Sequence, residues 1–374
     1  MKKKLAIFFA IFLCALSFVG CNNWTYQSRS IANQTAYPIV LKAGESYTVD
    51  VNEVFKNCDI EIESYKIITE ENCNYTVNDN VITAKGTGVS PVKAHLYPKT
   101  GSTCYVVTLG TLYSYDESDF DEVKSISDFD DMRTAKSGNY ILKANIDLSS
   151  VENWQPIGNL PDDDSFKGTF INPYGYKITG LTITSSKHVP NGTNGGASGG
   201  LFGSTVDTLL YGIILENVSI DVSDFDGQLS SFAGGLVGSA SNTVFANCSV
   251  QGNVSANGDA GGICGSASWG SFDNCTFNGN VTLRESNSEY ATNSNDTGAG
   301  GIVGYCGMPY YNVKSGRVYN CTSSGNITAE KNAGGICGYV HGKENVFDCE
   351  SQAILSAQNT GKLYGSYYFA DDLN

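Results

Sequence analysis

Residues 259–281, DAGGICGSASWGSFDNCTFNGNV, are one copy of a pattern that recurs along the second half of the chain. The Gly-Gly-Ile-Cys-Gly step at 261–265 has counterparts at 199–203, 234–238, 300–304 and 334–338. The Phe-Asp-Asn-Cys step at 272–275 likewise has counterparts at 245–248, 318–321 and 346–349, and 216–218 provides a first version without cysteine. Repeats of this length indicate a stacked architecture.

Each repeat holds short runs rich in Val, Ile, Phe and Thr between Gly and Asn, and no run keeps a helical period. Such runs are typical of β-strands, and Gly and Asn tolerate the positive φ of tight corners. We therefore predict a parallel β-solenoid whose glycine pairs turn the corners. With rungs about 4.8 Å apart, one apolar residue of each repeat would join a continuous buried column: Leu236, Ile263, Ile302 and Ile336.

The cysteines follow the repeat. Cys264 and Cys337 occupy the position that Val237 and Val303 occupy in other copies. Because a residue that alternates with valine acts as a small core residue, we expect buried thiols. A disulfide among them and a metal site are the alternatives, but no pair has zinc-ligand spacing. A phosphate-binding loop is excluded, because neither its glycine pattern nor its lysine is present.

The asparagines of the repeat also share one position. They predict a ladder of side-chain amides at a turn, which would satisfy neighbouring backbone groups: Asn247, Asn274 and Asn320.

The Gly-Gly-Leu/Ile-x-Gly units are similar to the GLUG motif of bacterial surface proteins. Upstream segments resemble the leading strands of that family, including 140–148 and 154–158, and 171–175 departs from its usual turn. The resemblance covers about residues 120–374 and implies a right-handed parallel β-helix. It implies little about function, since these repeats occur in adhesins, in protease precursors and in uncharacterised proteins.

Four segments are predicted. Residues 1–20 form a lipoprotein signal peptide, 21–35 a linker, 36–112 an Ig-like β-sandwich and 113–374 the GLUG-repeat β-helix. The sandwich is predicted from alternating strands, and VITAKGTGVSPVK at 81–93 is similar to bacterial Ig-like domains of the intimin and invasin type. Its cysteines allow one disulfide of undetermined pairing: Cys58, Cys73 and Cys104. Ser127 and Asp130 suggest a capping box for a short N-terminal cap helix of the β-helix.

The N-terminal residues combine a basic start with a short apolar run that ends at 18–21, Phe-Val-Gly-Cys. This sequence resembles a bacterial lipobox, apart from Phe18 where leucine is usual. The resemblance implies lipidation of Cys21 and an anchor in the bacterial outer membrane or cell surface. An ordinary secreted protein and an uncleaved anchor are the alternatives.

The formal net charge of −15 argues against nucleic acid and anionic membrane surfaces as partners, because the field of the chain would repel both. We expect a monomer without cofactor or metal, attached to the membrane through the lipid.

An enzymatic role is tested by looking for paired acids, since β-helices host polysaccharide lyases and glycosidases. The acidic runs at 162–164 and 224–226 lie in predicted loops, Arg317 lacks neighbouring acids in the sequence, Arg284 has Glu285 alone beside it, and no His-Glu-x-x-His motif is present. We therefore predict that the chain is not an enzyme, with a carbohydrate-active β-helix enzyme as the alternative.

A binding role has its own residues. Three tyrosines enter one repeat whose neighbours lack them, and a tryptophan lies one repeat earlier; aromatic side chains on loops are used in recognition. The candidate ligand-binding residues are Trp269, Tyr305, Tyr310 and Tyr311. Packing of these rings against the helix side is the alternative. The sequence thus predicts a surface lipoprotein whose rigid β-helix binds a host protein or glycan, with a purely structural envelope role as a further alternative.

Overall fold

The computed structural model describes residues 25–28, 37–50, 61–159, 164–189, 196–225, 231–284, 297–307, 316–341 and 346–368. The chain forms two compact units, Met1–Asp116 and Glu117–Asn374. Cys21, Tyr310 and Tyr311, three of the predicted site residues, lie outside the described residues.

The first unit contains two β-sheets. The larger sheet is built around the antiparallel pair of its two longest strands, and its strands are Thr25–Ser28, Tyr37–Lys42, Ile62–Ile68, Gly88–Pro98 and Thr103–Tyr115. The smaller sheet is antiparallel, with strands Ser46–Thr48, Tyr75–Asn78 and Val81–Ala84.

Alternating residues of these strands form the core of the first unit, because successive side chains of a strand point to opposite faces. Tyr75, Ile82 and Leu96 are fully buried there. Thr25–Ser28, within the predicted linker, pairs with Thr103–Tyr115, which itself runs beyond residue 112. Cys73 is a free thiol, and Cys58 lies outside the described residues.

The second unit is a stack of parallel strands in four sheets, and each full rung contributes one strand to each sheet. The first, here called the aromatic sheet, comprises Asp121–Val123, Asn139–Leu142, Thr169–Ile171, Leu209–Tyr211, Val244–Ala246, Ser271–Asp273, Arg317–Tyr319 and Val346–Phe347. The long sheet comprises Ile146–Asp147, Lys177–Thr179, Thr182–Ile183, Ile214–Asp221, Ser249–Ala256, Thr276–Leu283, Thr322–Thr328, Glu350–Ser351 and Ile354–Ser356.

The other two sheets follow in each rung. The glycine sheet comprises Ala197–Gly199, Ser231–Gly234, Asp259–Gly261, Ala299–Gly300, Asn332–Gly334 and Asn359–Gly361. The serine sheet comprises Phe202–Val206, Val237–Ser241, Cys264–Ser268, Val303–Cys306, Cys337–His341 and Tyr364–Tyr368. The predicted all-β fold, a parallel β-helix preceded by a β-sandwich, is confirmed.

The predicted apolar column is present. The backbone N–H of Leu236 donates to the carbonyl of Ile263 at 3.0 Å, Ile263 to Ile302 at 2.9 Å, and Ile302 to Ile336 at 2.8 Å. All of these side chains are fully buried. Phe245 and Phe272 stack beside them with ring centroids 4.5 Å apart. Each rung therefore buries its apolar face against the next, as a solenoid requires.

The glycine pairs lie where the glycine sheet passes into the serine sheet, as predicted, but they do not turn this corner through positive φ. Glycine is needed there because the neighbouring rung leaves no room for a side chain. A Cβ on Gly262 would lie 2.1 Å from the Cγ of Phe277 and 2.2 Å from the carbonyl oxygen of Gly301. The positive φ falls instead on the asparagine position, at 54° for Asn247 and 52° for Asn274.

The amide ladder lies at that corner. Asn274 donates to Asn247 at 2.6 Å, and Asn320 donates to Asn274 at 3.3 Å. The first copy of this step was assigned to the wrong residues, because 216–218 lies inside the long strand Ile214–Asp221. Leu210, which pairs with Phe245, begins the true counterpart.

The thiols of the repeat are buried in the core, as Cys264 in register with Val237 and Val303 illustrates. Burial raises the pKa of Cys275 and Cys321 well above the usual value. These cysteines are free thiols in the structure: Cys248, Cys264, Cys275, Cys306, Cys321, Cys337 and Cys349.

A short helix, Asp128–Thr134, buries Phe129 and Met132 against the first rungs. Its N-terminus is not closed by the predicted capping box, because the Ser127 side chain makes no capping hydrogen bond. The Asp128 carboxylate instead accepts the backbone N–H groups of Lys124 at 2.7 Å and Ser125 at 2.8 Å. Those hydrogen bonds lower the pKa of Asp128.

Candidate ligand-binding corner

One corner of the solenoid, between the serine sheet and the aromatic sheet, carries the exposed tryptophan. Trp269 lies in the turn between Cys264–Ser268 and Ser271–Asp273. Its side chain is 41% exposed, although large apolar residues are ordinarily covered in this unit. Its φ is 54°, in the left-handed region.

Other rungs place small polar residues at this position. Asp207 and Asn242 have φ of 52° and 45°, and the Asn242 amide donates to the Asp207 carboxylate at 2.7 Å. Asp and Asn adopt the left-handed region readily, whereas a bulky side chain is strained there by about 1–2 kcal/mol. A strained residue in an otherwise regular turn is a reason to look for function.

The next rung is hydrogen-bonded on both sides of Trp269. The backbone N–H of Gly307 donates to the carbonyl of Ala267 at 3.0 Å, and that of Arg317 donates to Gly270 at 2.9 Å. The insertion that begins after Gly307 and ends before Gly316 therefore starts and finishes directly above the turn of Trp269. Tyr310 and Tyr311 belong to that insertion and lie outside the described residues.

Tyr305 belongs to the outer face of the serine sheet. It stands in a column with Ser266 in the rung before and Tyr339 in the rung after. The Tyr305 and Tyr339 rings are parallel, with centroids 5.9 Å apart, and His341 meets them edge-on at 5.7 and 5.5 Å. Trp269 follows Ser266 by three residues, in the turn after the same strand. Tyr339 is only 5% exposed and the half-buried Tyr305 and His341 rings pack on it, so Trp269 is the exposed ring of this group.

Tyr339 and His341 were missed in the sequence. Both follow the Gly-Gly-Ile-Cys-Gly copy at 334–338, and alignment of this repeat with the repeat of Tyr305 would have placed Tyr339 in the same column. We call Trp269, Tyr305, Tyr339 and His341 the aromatic corner.

A buried ion pair lies beside the aromatic corner. Arg317 Nη2 is 3.1 Å from the Asp273 carboxylate, and the two side chains are 4% and 9% exposed. Burial raises the pKa of Asp273 to about 6, although the positive charge of Arg317 acts in the opposite direction. The sequence concealed this pair because the partners lie in different repeats. Arg284 also has an acidic partner, Asp221, at 3.4 Å.

The acids considered for catalysis have structural partners where they are described. Asp164 pairs with Lys136. Asp224 accepts hydrogen bonds from the Ser185 hydroxyl at 2.5 Å and the Ser186 backbone N–H at 2.7 Å, which lower its pKa in spite of partial burial. In the described part of the chain, no group of three or more His, Cys, Asp or Glu side chains is arranged to hold a metal ion. The corner therefore offers one exposed aromatic face, that of Trp269, with hydrogen-bonding groups beside it.

Comparison with known proteins assigns the chain to no family. No family model matches it, and no curated protein does. GLUG membership therefore stays a prediction. One similar solved structure is the "putative immunoglobulin A1 protease from Bacteroides ovatus", at 18% identity and a TM-score of 0.46, over 67% of this chain and 72% of that one. Another, named "IgA1 Protease", has 14% identity and a TM-score of 0.37 over 83% of this chain.

The present chain spans only 28% of that second protein. Both structures bear the name of an enzyme, which contradicts the prediction that this chain is not one, and that prediction is withdrawn. At such low identity the likeness assigns no activity to the residues described above.

Proposed function

We propose that the second unit is a rigid scaffold that presents the aromatic corner to a ligand. The observation that carries the proposal is Trp269, an exposed ring held in a strained conformation where Asp207 and Asn242 serve the fold in sister rungs. Neither the fold nor the corner turn requires tryptophan. Binding accounts for keeping it, because strain at a functional residue is offset by the stable structure around it.

The ligand class that suits this corner is a neutral glycan. Flat aromatic faces with polar neighbours combine apolar contact area with orienting hydrogen bonds. Ser266 lies in the Tyr305 column and Asn242 one rung before Trp269, and both supply such polar groups. The net charge of −15 disfavours acidic ligands through long-range repulsion. A host protein is the competing ligand.

The test is a glycan and extracellular-matrix array with the soluble 22–374 fragment, followed by calorimetric titration of any glycan that binds. We expect Trp269→Asn to weaken glycan binding at least tenfold. The control is Tyr65→Ala, which removes an aromatic residue of comparable exposure, 37%, from the first unit. Unchanged affinity in the Trp269 variant, or binding to matrix proteins alone, would refute the glycan assignment.

We also propose that Cys21 carries the lipid that attaches the protein to the outer membrane or cell surface. The basic start and the lipobox-like residues 18–21 support this, and an acylated cysteine with two or more chains gives a lasting anchor. Among the described residues, none of the helices has the length and apolar character needed to cross a bilayer. Metabolic labelling with an alkyne fatty acid should mark the wild type and not Cys21→Ser.

A further inference from the structure

The ion pair beside the aromatic corner is unusual in its burial. Asp273 and Arg317 alternate with the core residues Phe272 and Val318, so both face outward from the aromatic sheet. Counted as whole residues, Asp273 and Arg317 are nevertheless only 6% and 3% exposed. An outward face of a solenoid is ordinarily solvated, and burying two charges there is expensive unless they remain paired. The burial of this outward-facing pair therefore needs a reason in the contacts around it.

The surroundings of the guanidinium define that geometry. Arg317 lies over the rings of Tyr319 and Phe347, at 4.7 and 5.6 Å from their centroids, and contacts Asp273 in the preceding rung. A planar guanidinium packs on aromatic rings while it binds a carboxylate. The side chain thus spans three successive rungs of the aromatic sheet.

The same residue contacts the turn of Trp269 through its backbone. The Arg317 N–H donates to Gly270, the residue after Trp269, and Asp273 lies at the end of the strand that follows this turn. We propose that Arg317 and Asp273 form a clamp that positions Trp269 by fixing its turn to the rung above. Both are positioning residues, and their relevance to ligand binding rests on the proposed function of the aromatic corner.

The clamp responds to pH in a definite direction. Among the described residues, Arg317 is the charged group that faces Asp273, the Ser271 hydroxyl donates to the carboxylate at 3.4 Å, and Tyr319 and Phe347 contribute rings. Burial sets the pKa of Asp273 to about 6 in the closed clamp, against 3.8 when the carboxyl is in water. The neutral carboxyl keeps an oxygen that accepts a hydrogen bond from Arg317 and no longer carries the desolvation cost of a buried carboxylate, so the closed clamp binds a proton more tightly than an open one. Acid favours closure, and this contribution is lost as the pH rises through about 6.

Between pH 7 and pH 5 the ratio of closed to open clamp should rise about tenfold, as two groups with these pKa values require. The measurement is amide hydrogen exchange without ligand, expressed as protection factors after correction for intrinsic exchange at each pH. The reporters are the Gly307 and Arg317 amides, which donate to either side of Trp269. The Thr322 amide, bonded to Cys275 at 2.9 Å, is the control from another corner.

We expect the reporter protection factors to be about tenfold higher at pH 5 than at pH 7, with Thr322 unchanged. Asp273→Asn should abolish the pH step. The double variant Asp273→Asn/Arg317→Met removes both charges at nearly unchanged side-chain volume, so it should fold and also lack the step. Equal protection at both pH values in the wild type, or a step that persists in either variant, would overturn the clamp.

Because no ligand is present, the two proposals fail separately. A pH step in a protein whose Trp269 variant binds glycan normally would overturn the proposed function alone. Loss of glycan binding in Trp269→Asn without any pH step would overturn the clamp alone.

Discussion

Replacing Trp269 by asparagine and by alanine separates two effects: the strain of the left-handed φ at this turn and the loss of the exposed ring. Both variants lose the ring, so the loss of its partial burial is common to them. Asparagine accepts the left-handed φ of 54°, whereas alanine remains strained by about 1 kcal/mol. The new amide would also lie above Asn242, whose side-chain oxygen can accept from it as Asn247 accepts from Asn274. That hydrogen bond adds about 0.5–1 kcal/mol.

The Asn variant should therefore be more stable than the Ala variant by about 1.5–2 kcal/mol. In urea, with a slope of about 3 kcal/mol/M for a unit of this size, the midpoints should differ by about 0.6 M. Circular dichroism of the β-sheet signal during urea titration measures this directly. Glycan binding should be lost equally in both. Coincident midpoints would mean that the left-handed turn does not constrain residue 269, and the argument from strain would fail.

Three further outcomes follow from packing. Gly262→Ala should lower the free energy of unfolding by about 3 kcal/mol, because its Cβ would meet Phe277 and the next rung. Gly86→Ala, which has open space around its Cβ, should leave that free energy nearly unchanged, and thermal melts of the two variants measure the difference. Asn274→Ala should lower the free energy of unfolding by about 2 kcal/mol and Asn274→Gly by about 1, since glycine accepts the positive φ and loses only the hydrogen bonds of the amide ladder. Equal losses of stability in urea titrations of the two variants would refute a separate contribution from the positive φ. Native alkylation followed by mass spectrometry should leave Cys275 unmodified, because its thiol is buried and its pKa raised, while the half-buried Cys73 and Cys349 react; modification of Cys275 at the same rate as Cys349 would contradict the burial of the repeat thiols.

The stacking of rungs could be predicted because the same residue types recur at the same positions of each repeat. Residues that share a repeat position share a rung position, so the exchange of Val237 for Cys264 already indicated a buried thiol. The same logic located the amide ladder. Alternation of apolar residues predicted the sandwich strands in the same manner, since a half-buried strand repeats every two residues.

The roles of individual residues were harder to predict, because they depend on contacts between rungs. Glycine in the pair and asparagine at the corner both tolerate positive φ, so the sequence alone could not show that Gly262 is needed for close approach. The step at 216–218 matched by letters but lay in a strand whose register shifts at a bulge. The Arg317–Asp273 pair joins two repeats, and no local pattern indicates it.

The column that contains Ser204, Ser239, Ser266, Tyr305 and Tyr339 on the serine sheet shows how such a protein can change what it binds. Serine occupies its first three positions and tyrosine the next two, while the inward position beside them stays small and apolar from Val237 through Cys264 and Val303 to Cys337, so the outer residue can change independently of the core. A recognition patch could therefore migrate up or down the molecule through single exchanges, each felt only by the coil above and the coil below.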